Sequence, residues 1–179
     1  MVNTALRFFG VDAIQMKKTE KKSGGCQCGA VRFAIFGEFG KAGICHCRMC
    51  QKAFGSWGAA LVSVNFADFQ WTRGTAGTFR SSQIVERGFC NTCGTPLYMR
   101  EDGDQNIELA IGCLDNPAAV TNFTEQAGVE SRVPWFNELH ELPAQTTADY
   151  RTPSELQQLE TFQHPDFDTA LWPIKPKQL

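Results

Sequence analysis

The sequence predicts an all-β domain stapled by metal. Short runs of β-forming residues recur between turn residues. Seven of the eight cysteines fall into three tight motifs, Cys26/Cys28, Cys45/Cys47/Cys50 and Cys90/Cys93. One stretch alone, near the C-terminus, has respectable helical periodicity.

A chain of 179 residues supports one ordinary core. With 42% hydrophobic and 20% charged residues it has a globular composition. Its longest apolar runs fall well short of the ~20 residues of a membrane span. A net charge of −2 and a pI near 5.9 argue against a phosphate-binding surface. The N-terminus lacks a secretory apolar region, which makes the cytoplasm the expected location.

The elements follow in order. Residues 1–22 end in the charged run Lys17-Lys18-Thr19-Glu20-Lys21-Lys22 and read as a flexible tail. A zinc-binding domain is expected over 23–150. Residues 31–36 are rich in β-formers and predict a strand; the glycine-punctuated 37–43 predict a turn. After Cys50, residues 51–58 read as a loop or a single helical turn. Strands are expected over 59–64, 66–71 and 77–82, and the segment 89–99 carries the last cysteine pair. Residues 106–114 alternate polar and apolar and predict another strand. Residues 133–139 read as an irregular aromatic element. Residues 154–162 predict the one helix, capped by Thr152 or Ser154. With the Pro-rich extended end, that helix makes up a C-terminal segment over 151–179.

The cysteine spacings point to metal rather than disulfides, since a C-x-C pair clasps one ion easily but strains two separate bridges. Cys28 and Cys93 are each followed by glycine, which lets the backbone curl its N–H groups toward the sulfurs. Cys50 is followed by Gln51. On that difference Cys26, Cys28, Cys90 and Cys93 form one closed site, and Cys45, Cys47 and Cys50 remain for a second ion one ligand short. Spacing alone also allows neighbouring motifs to pair in chain order. Arg48 and Lys52 are placed to favour ionised thiols. His46 reads as a bystander between ligands, Cys113 as a small buried residue, and His140 and His164 as exposed loop residues. Phe54, Trp57 and Trp135 read equally as core or as pocket walls, and Arg132 as a surface residue.

The stretches Gly-Gly-Cys-Gln-Cys-Gly-Ala-Val-Arg-Phe (24–33), Cys-His-Cys-Arg-Met-Cys (45–50) and Gly-Phe-Cys-Asn-Thr-Cys-Gly-Thr-Pro-Leu (88–97) come in this order. Leu-Asp-Asn-Pro (114–117) and Val-Glu-Ser-Arg-Val-Pro-Trp (129–135) follow them. Together they resemble the glutathione-dependent formaldehyde-activating enzyme family, from about residue 24 to 142. The resemblance implies an antiparallel β-tent with two zinc ions. A structural zinc would sit on Cys26, Cys28, Cys90 and Cys93, and a catalytic one, the more labile, on Cys45, Cys47 and Cys50. It implies a carbon–sulfur lyase that joins glutathione or another thiol to formaldehyde or a small aldehyde. The competing expectation is a non-catalytic zinc-stapled module that binds a protein or, as in centromere-protein-V-type relatives, chromatin.

Overall fold

The computed structural model describes residues 20–159 and 161–173. Most of the expected N-terminal tail, Glu160 of the expected helix, and residues 174–179 of the expected extended end lie outside them.

The ten strands are β1 (Lys22–Gly25), β2 (Arg32–Ile35), β3 (Ala42–Cys45), β4 (Ala59–Asn65) and β5 (Phe69–Arg73), then β6 (Gly77–Arg80), β7 (Val85–Phe89), β8 (Pro96–Glu101), β9 (Asn106–Ala110) and β10 (Phe123–Ala127). Two short helices accompany them, α1 (Arg48–Phe54) and α2 (Pro153–Gln158). The strands form a three-stranded sheet, β1-β2-β5, and a seven-stranded sheet, β10-β3-β4-β9-β8-β7-β6. The mainly-β expectation holds. It needs one amendment: β10 runs parallel to β3, the exception among otherwise antiparallel pairs.

Alternation explains the layering, because successive side chains of a strand face opposite sides. Val62 and Val64 of β4, with Ile107 and Leu109 of β9, are buried together with Phe33 and Ile35 of β2. These fill the space between the sheets, each contributing roughly 1.5–3 kcal/mol by burial. Phe69 and Trp71 close one end, with Phe33–Phe69 centroids 5.4 Å apart and Phe69–Trp71 centroids 4.8 Å apart. The opposite face of the large sheet, carrying Leu61 and Met99, receives α1 and the triple-cysteine stretch.

Several local expectations are revised. The helix after the second motif starts earlier than expected, inside it, because the Cys47 sulfur accepts the Cys50 N–H and caps the first turn. The strand expected over 106–114 stops at Ala110 and gives way to a 3₁₀ turn that holds Cys113. The run 66–71 opens with a 3₁₀ turn, and its strand begins at Phe69. Strands β1, β3, β7, β8 and β10 were not expected, and β3 begins at Ala42, inside the turn expected over 37–43. The helix expected over 154–162 is shorter; Thr152 and Glu155 form its capping box. His164 is buried, against expectation, because the segment after α2 folds back on the domain. There the His164 N–H donates to Gln27 O at 2.8 Å.

That returning segment is held by charge. Arg32, 3% exposed, donates to both carboxylate oxygens of Asp115, at 2.8 and 2.5 Å, and to Asp168 at 2.9 Å. Trp172 Nε1 donates to Cys28 O at 2.7 Å. Among the described residues, no helix is long and apolar enough to cross a membrane.

Candidate metal centres

The two sheets bring seven of the cysteines together as two groups. The turn between β1 and β2 carries Cys26 and Cys28, and the turn between β7 and β8 carries Cys90 and Cys93. Their four sulfurs lie within 4.8 Å of one another. Cys26 and Cys28 sulfurs are 3.6 Å apart and those of Cys28 and Cys90 3.8 Å. A disulfide would need about 2.05 Å. Thiolates at tetrahedral corners about 2.3 Å from a zinc ion stand roughly 3.8 Å apart. The donor set and its spacing therefore fit a closed four-thiolate zinc site.

Backbone geometry supports the same group. Gly29 and Gly94 both take positive φ, 79° and 77°, and their N–H groups return to Cys26 O and Cys90 O at 3.0 and 2.9 Å. The two cysteine turns are thus matched in form, as the glycine after each pair suggested. Val31 N–H donates to Cys26 Sγ at 3.2 Å and Thr92 N–H to Cys90 Sγ at 3.4 Å. Burial raises the Cys26 and Cys28 thiol pKa values. Burial acts on Cys93 in the same sense, but the Thr95 hydroxyl and N–H outweigh it and hold that thiol at about 6. Cys113, buried as expected, stands outside the group and points its thiol at Pro96 O, 3.0 Å away.

The second group is Cys45 at the end of β3, Cys47 at the cap of α1 and Cys50 in its first turn. Their sulfurs also lie within 4.8 Å of one another, and among the described residues no fourth histidine, cysteine or carboxylate joins them. Three soft donors so arranged fit a zinc ion with one position left for substrate or water. Burial pushes Cys45 up to about 12. It also works against ionisation of Cys47, yet the Cys50 N–H and the neighbouring thiols hold that pKa below the ordinary thiol value. Burial raises Cys50, and Arg87 is the largest influence opposing it.

Arg87 is the site residue that sequence reasoning missed. It lies on β7 and is only 6% exposed. Its Nη2 donates to Cys50 Sγ at 3.5 Å, and its Nε to Ser81 Oγ at 3.0 Å. Arg48, expected to assist the thiols, instead donates to Gln51 Oε1, while Gln51 Nε2 ties the stretch to His46 O and Ser131 O at 2.6 and 2.8 Å. Lys52 remains exposed on α1.

His46 belongs to neither cysteine group. It is fully buried, donates from Nε2 to Gln126 Oε1 at 3.0 Å, and packs against Phe136 and Trp57 with centroids 4.8 and 6.1 Å away. The loop after β10 seals this side: a Cβ on Gly128 would lie 2.6 Å from Cys47 N. Arg132 is exposed and donates to Gln126 Oε1 at 3.2 Å. His140 is exposed, as expected.

Three clefts surround the second group. One, of about 420 Å³, runs along α1 past Arg48, Lys52, Phe79 and Arg87. A second, about 500 Å³, lies between α1 and Trp57 and Trp135, which makes those tryptophans pocket walls; Phe54 instead packs into the core. The third, about 680 Å³, is lined by Cys45, Leu61 and Met99 with Glu101, Glu108 and Glu125. Burial raises the Glu108 pKa there, with Asp104, Glu125 and Glu101 adding to the rise.

Comparison with known proteins places these motifs among relatives. Residues 21–127 match the profile of the family described as glutathione-dependent formaldehyde-activating enzyme. An uncharacterized lyase of Schizosaccharomyces pombe is 31% identical over 90 residues, which cover 46% of this chain and 60% of that protein's length. A crystal structure of a Rhodobacter sphaeroides protein aligns over 51% of this chain and 86% of its own, at 22% identity and a TM-score of 0.44.

Proposed function

The chain belongs to the glutathione-dependent formaldehyde-activating enzyme family, and from that premise we propose that it is a zinc-dependent carbon–sulfur lyase joining a thiol to formaldehyde or a small aldehyde. The observation that carries the reading is the difference between the two cysteine groups, four sulfurs in one and three in the other. The first serves as a staple between turns more than sixty residues apart, so that binding there contributes to folding. The second is the working site, with Cys45, Cys47 and Cys50 as ligands.

A free thiol, with a pKa near 8.5, is mostly protonated at neutral pH. Zinc held by the three cysteines supplies the acidity that ionises a bound thiol. The chain's own residues do the rest. Cys47 and Cys50 are fixed by α1, whose cap they form, and Cys45 by the end of β3. Arg87 counters the charge on Cys50 without leaving its buried seat. Gln51, anchored to His46 O and Ser131 O, holds the loop beneath the site. His46, Trp57 and Phe136 pack on one another beside the cysteine stretch and stiffen that side. Holding the thiol and the aldehyde together in this frame supplies much of the expected rate gain.

The test is adduct formation from glutathione and ¹³C-formaldehyde, followed by NMR with zinc-loaded wild type and Cys47→Ser. The reading expects faster S-hydroxymethyl formation than the spontaneous reaction, and loss of that excess in the variant while the fold persists. Equal rates with and without wild-type protein would leave the non-catalytic interaction module as the better reading.

A further inference from the structure

We propose that Cys93 and Cys113 form an oxidisable thiol pair: a peroxide oxidises Cys93, Cys113 captures it as a disulfide, and the four-cysteine site gives up its metal. The inference concerns the first cysteine group and does not depend on what the second one catalyses.

The first group is open at one corner. Cys26, Cys28 and Cys90 are buried, whereas Cys93 is exposed. Among neighbouring thiolates, the one that solvent reaches is the one an oxidant reaches first. Cys113 is the single cysteine of the eight that belongs to neither group. It lines the same cleft as Cys93, a space of about 400 Å³ that Gly94, Thr95, Pro96 and Gly112 also border.

Both thiols lie against one dipeptide. Cys93 Sγ is 3.1 Å from Thr95 Oγ1, and Cys113 Sγ donates to Pro96 O at 3.0 Å. A thiol is a weak donor, so Cys113 loses little by turning away from that carbonyl. A disulfide of about 2.05 Å requires the two sulfurs to close up, and the backbone has room to move at each. Gly94 follows Cys93 and Gly112 precedes Cys113, and a Cβ on either would meet nothing within 4 Å. Burial pushes the Cys113 thiol up to about 12, and charge on Cys93 adds to the rise. Cys113 therefore stays protonated, and the peroxide's target is Cys93.

Attack of the Cys93 sulfur on the peroxide breaks the O–O bond, leaving a sulfenic acid on Cys93 and releasing hydroxide. The Cys113 sulfur then displaces the sulfenic oxygen. The S–S bond forms, the S–O bond breaks, and the oxygen leaves as water with the Cys113 proton. Two electrons pass from the pair of sulfurs to the peroxide. A disulfide sulfur is no longer a thiolate, so Cys26, Cys28 and Cys90 remain as an incomplete set for a structural metal.

The test treats the zinc-loaded full chain with hydrogen peroxide and maps its cysteines by mass spectrometry. Wild type should yield a Cys93–Cys113 disulfide, assigned from fragment spectra because Cys90 and Cys93 share one tryptic peptide. Zinc release, followed with a chromogenic chelator, is read in Cys45→Ser/Cys47→Ser/Cys50→Ser, where the first site is the one remaining. One zinc ion should leave for each disulfide formed, and dithiothreitol with added zinc should restore the site. In Cys113→Ala, Cys93 should run on to sulfinic acid, which dithiothreitol does not reverse. A disulfide from Cys93 to Cys26, Cys28 or Cys90 with Cys113 left free would overturn the pairing. So would recovery in Cys113→Ala equal to that of wild type, or a Cys93 that stays reduced until the protein unfolds.

Discussion

The Nη2 atom of Arg87 lies 3.5 Å from the sulfur of Cys50, joining a residue of β7 to the first turn of α1. The contact spans 37 residues of sequence and makes the seventh strand part of the second cysteine group. Arg87 donates to Cys50 and opposes the rise that burial imposes on its thiol pKa; at the proposed metal site it would be an outer partner rather than a ligand.

Replacing Arg87 with Met should therefore weaken metal binding at Cys45/Cys47/Cys50 by about 10–100-fold, and leave the four-cysteine site unchanged. Competitive chelator titration of zinc reads both sites, the weaker one giving way first. Loss of both zinc ions in parallel would contradict the assignment of Arg87 to the second site.

Gly128 and Gly94 separate backbone strain from crowding. Both have positive φ, 63° and 77°. A Cβ on Gly94 meets nothing within 4 Å, whereas one on Gly128 would press on the backbone of Cys47. Gly94→Ala should cost about 1–2 kcal/mol. Gly128→Ala should cost more, about 3 kcal/mol, and should disturb the second metal site. Urea unfolding combined with zinc counting compares the two.

Asp168 ties the returning C-terminal segment to Arg32. Burial tends to raise its carboxyl pKa, but Lys21 and Arg32 outweigh that and hold it below the ordinary carboxylate value. A depressed folded pKa means the stabilisation is complete above the unfolded value, about 3.9, and is lost as pH falls through the folded one. Asp168→Asn should thus destabilise the protein equally at pH 7 and pH 5. Urea unfolding at the two pH values measures this, and a difference already gone at pH 5 would contradict the pairing.

Trp172→Phe removes the indole N–H that bonds Cys28 O. The expected loss is about 1 kcal/mol, and amide exchange should quicken in the turn 26–30 more than in β9. Unchanged exchange there would mean that the C-terminal segment does not brace the first cysteine turn.

The cysteine grouping was legible because each motif is local: the glycines after Cys28 and Cys93 carry their own turn geometry, whatever the rest of the chain does. The core strands β2, β4 and β9 were legible for a similar reason, since their burial leaves alternation or β-rich runs. Strand β10 was not. All five of its residues are exposed, so it is held by backbone pairing with β3 and leaves no hydrophobic pattern. Strand β7 carries Glu86, Arg87 and Gly88, which break any run of β-formers there. Helix α1 is too short for periodicity to register, and its start is set by a sulfur cap. Arg87 and His164 gain their roles from residues far away in sequence, and no local spacing announces such a contact.

The central claim is that the second group holds three ligands and accepts the substrate thiol as the fourth. Cobalt-substituted protein offers the most direct measurement, because its sulfur-to-cobalt absorption reports the number of bound thiolates. Adding glutathione should strengthen that band to the level of a four-thiolate site in wild type, and leave it unchanged when Cys45, Cys47 and Cys50 are all replaced by serine. A wild-type spectrum that does not respond to glutathione would contradict the account.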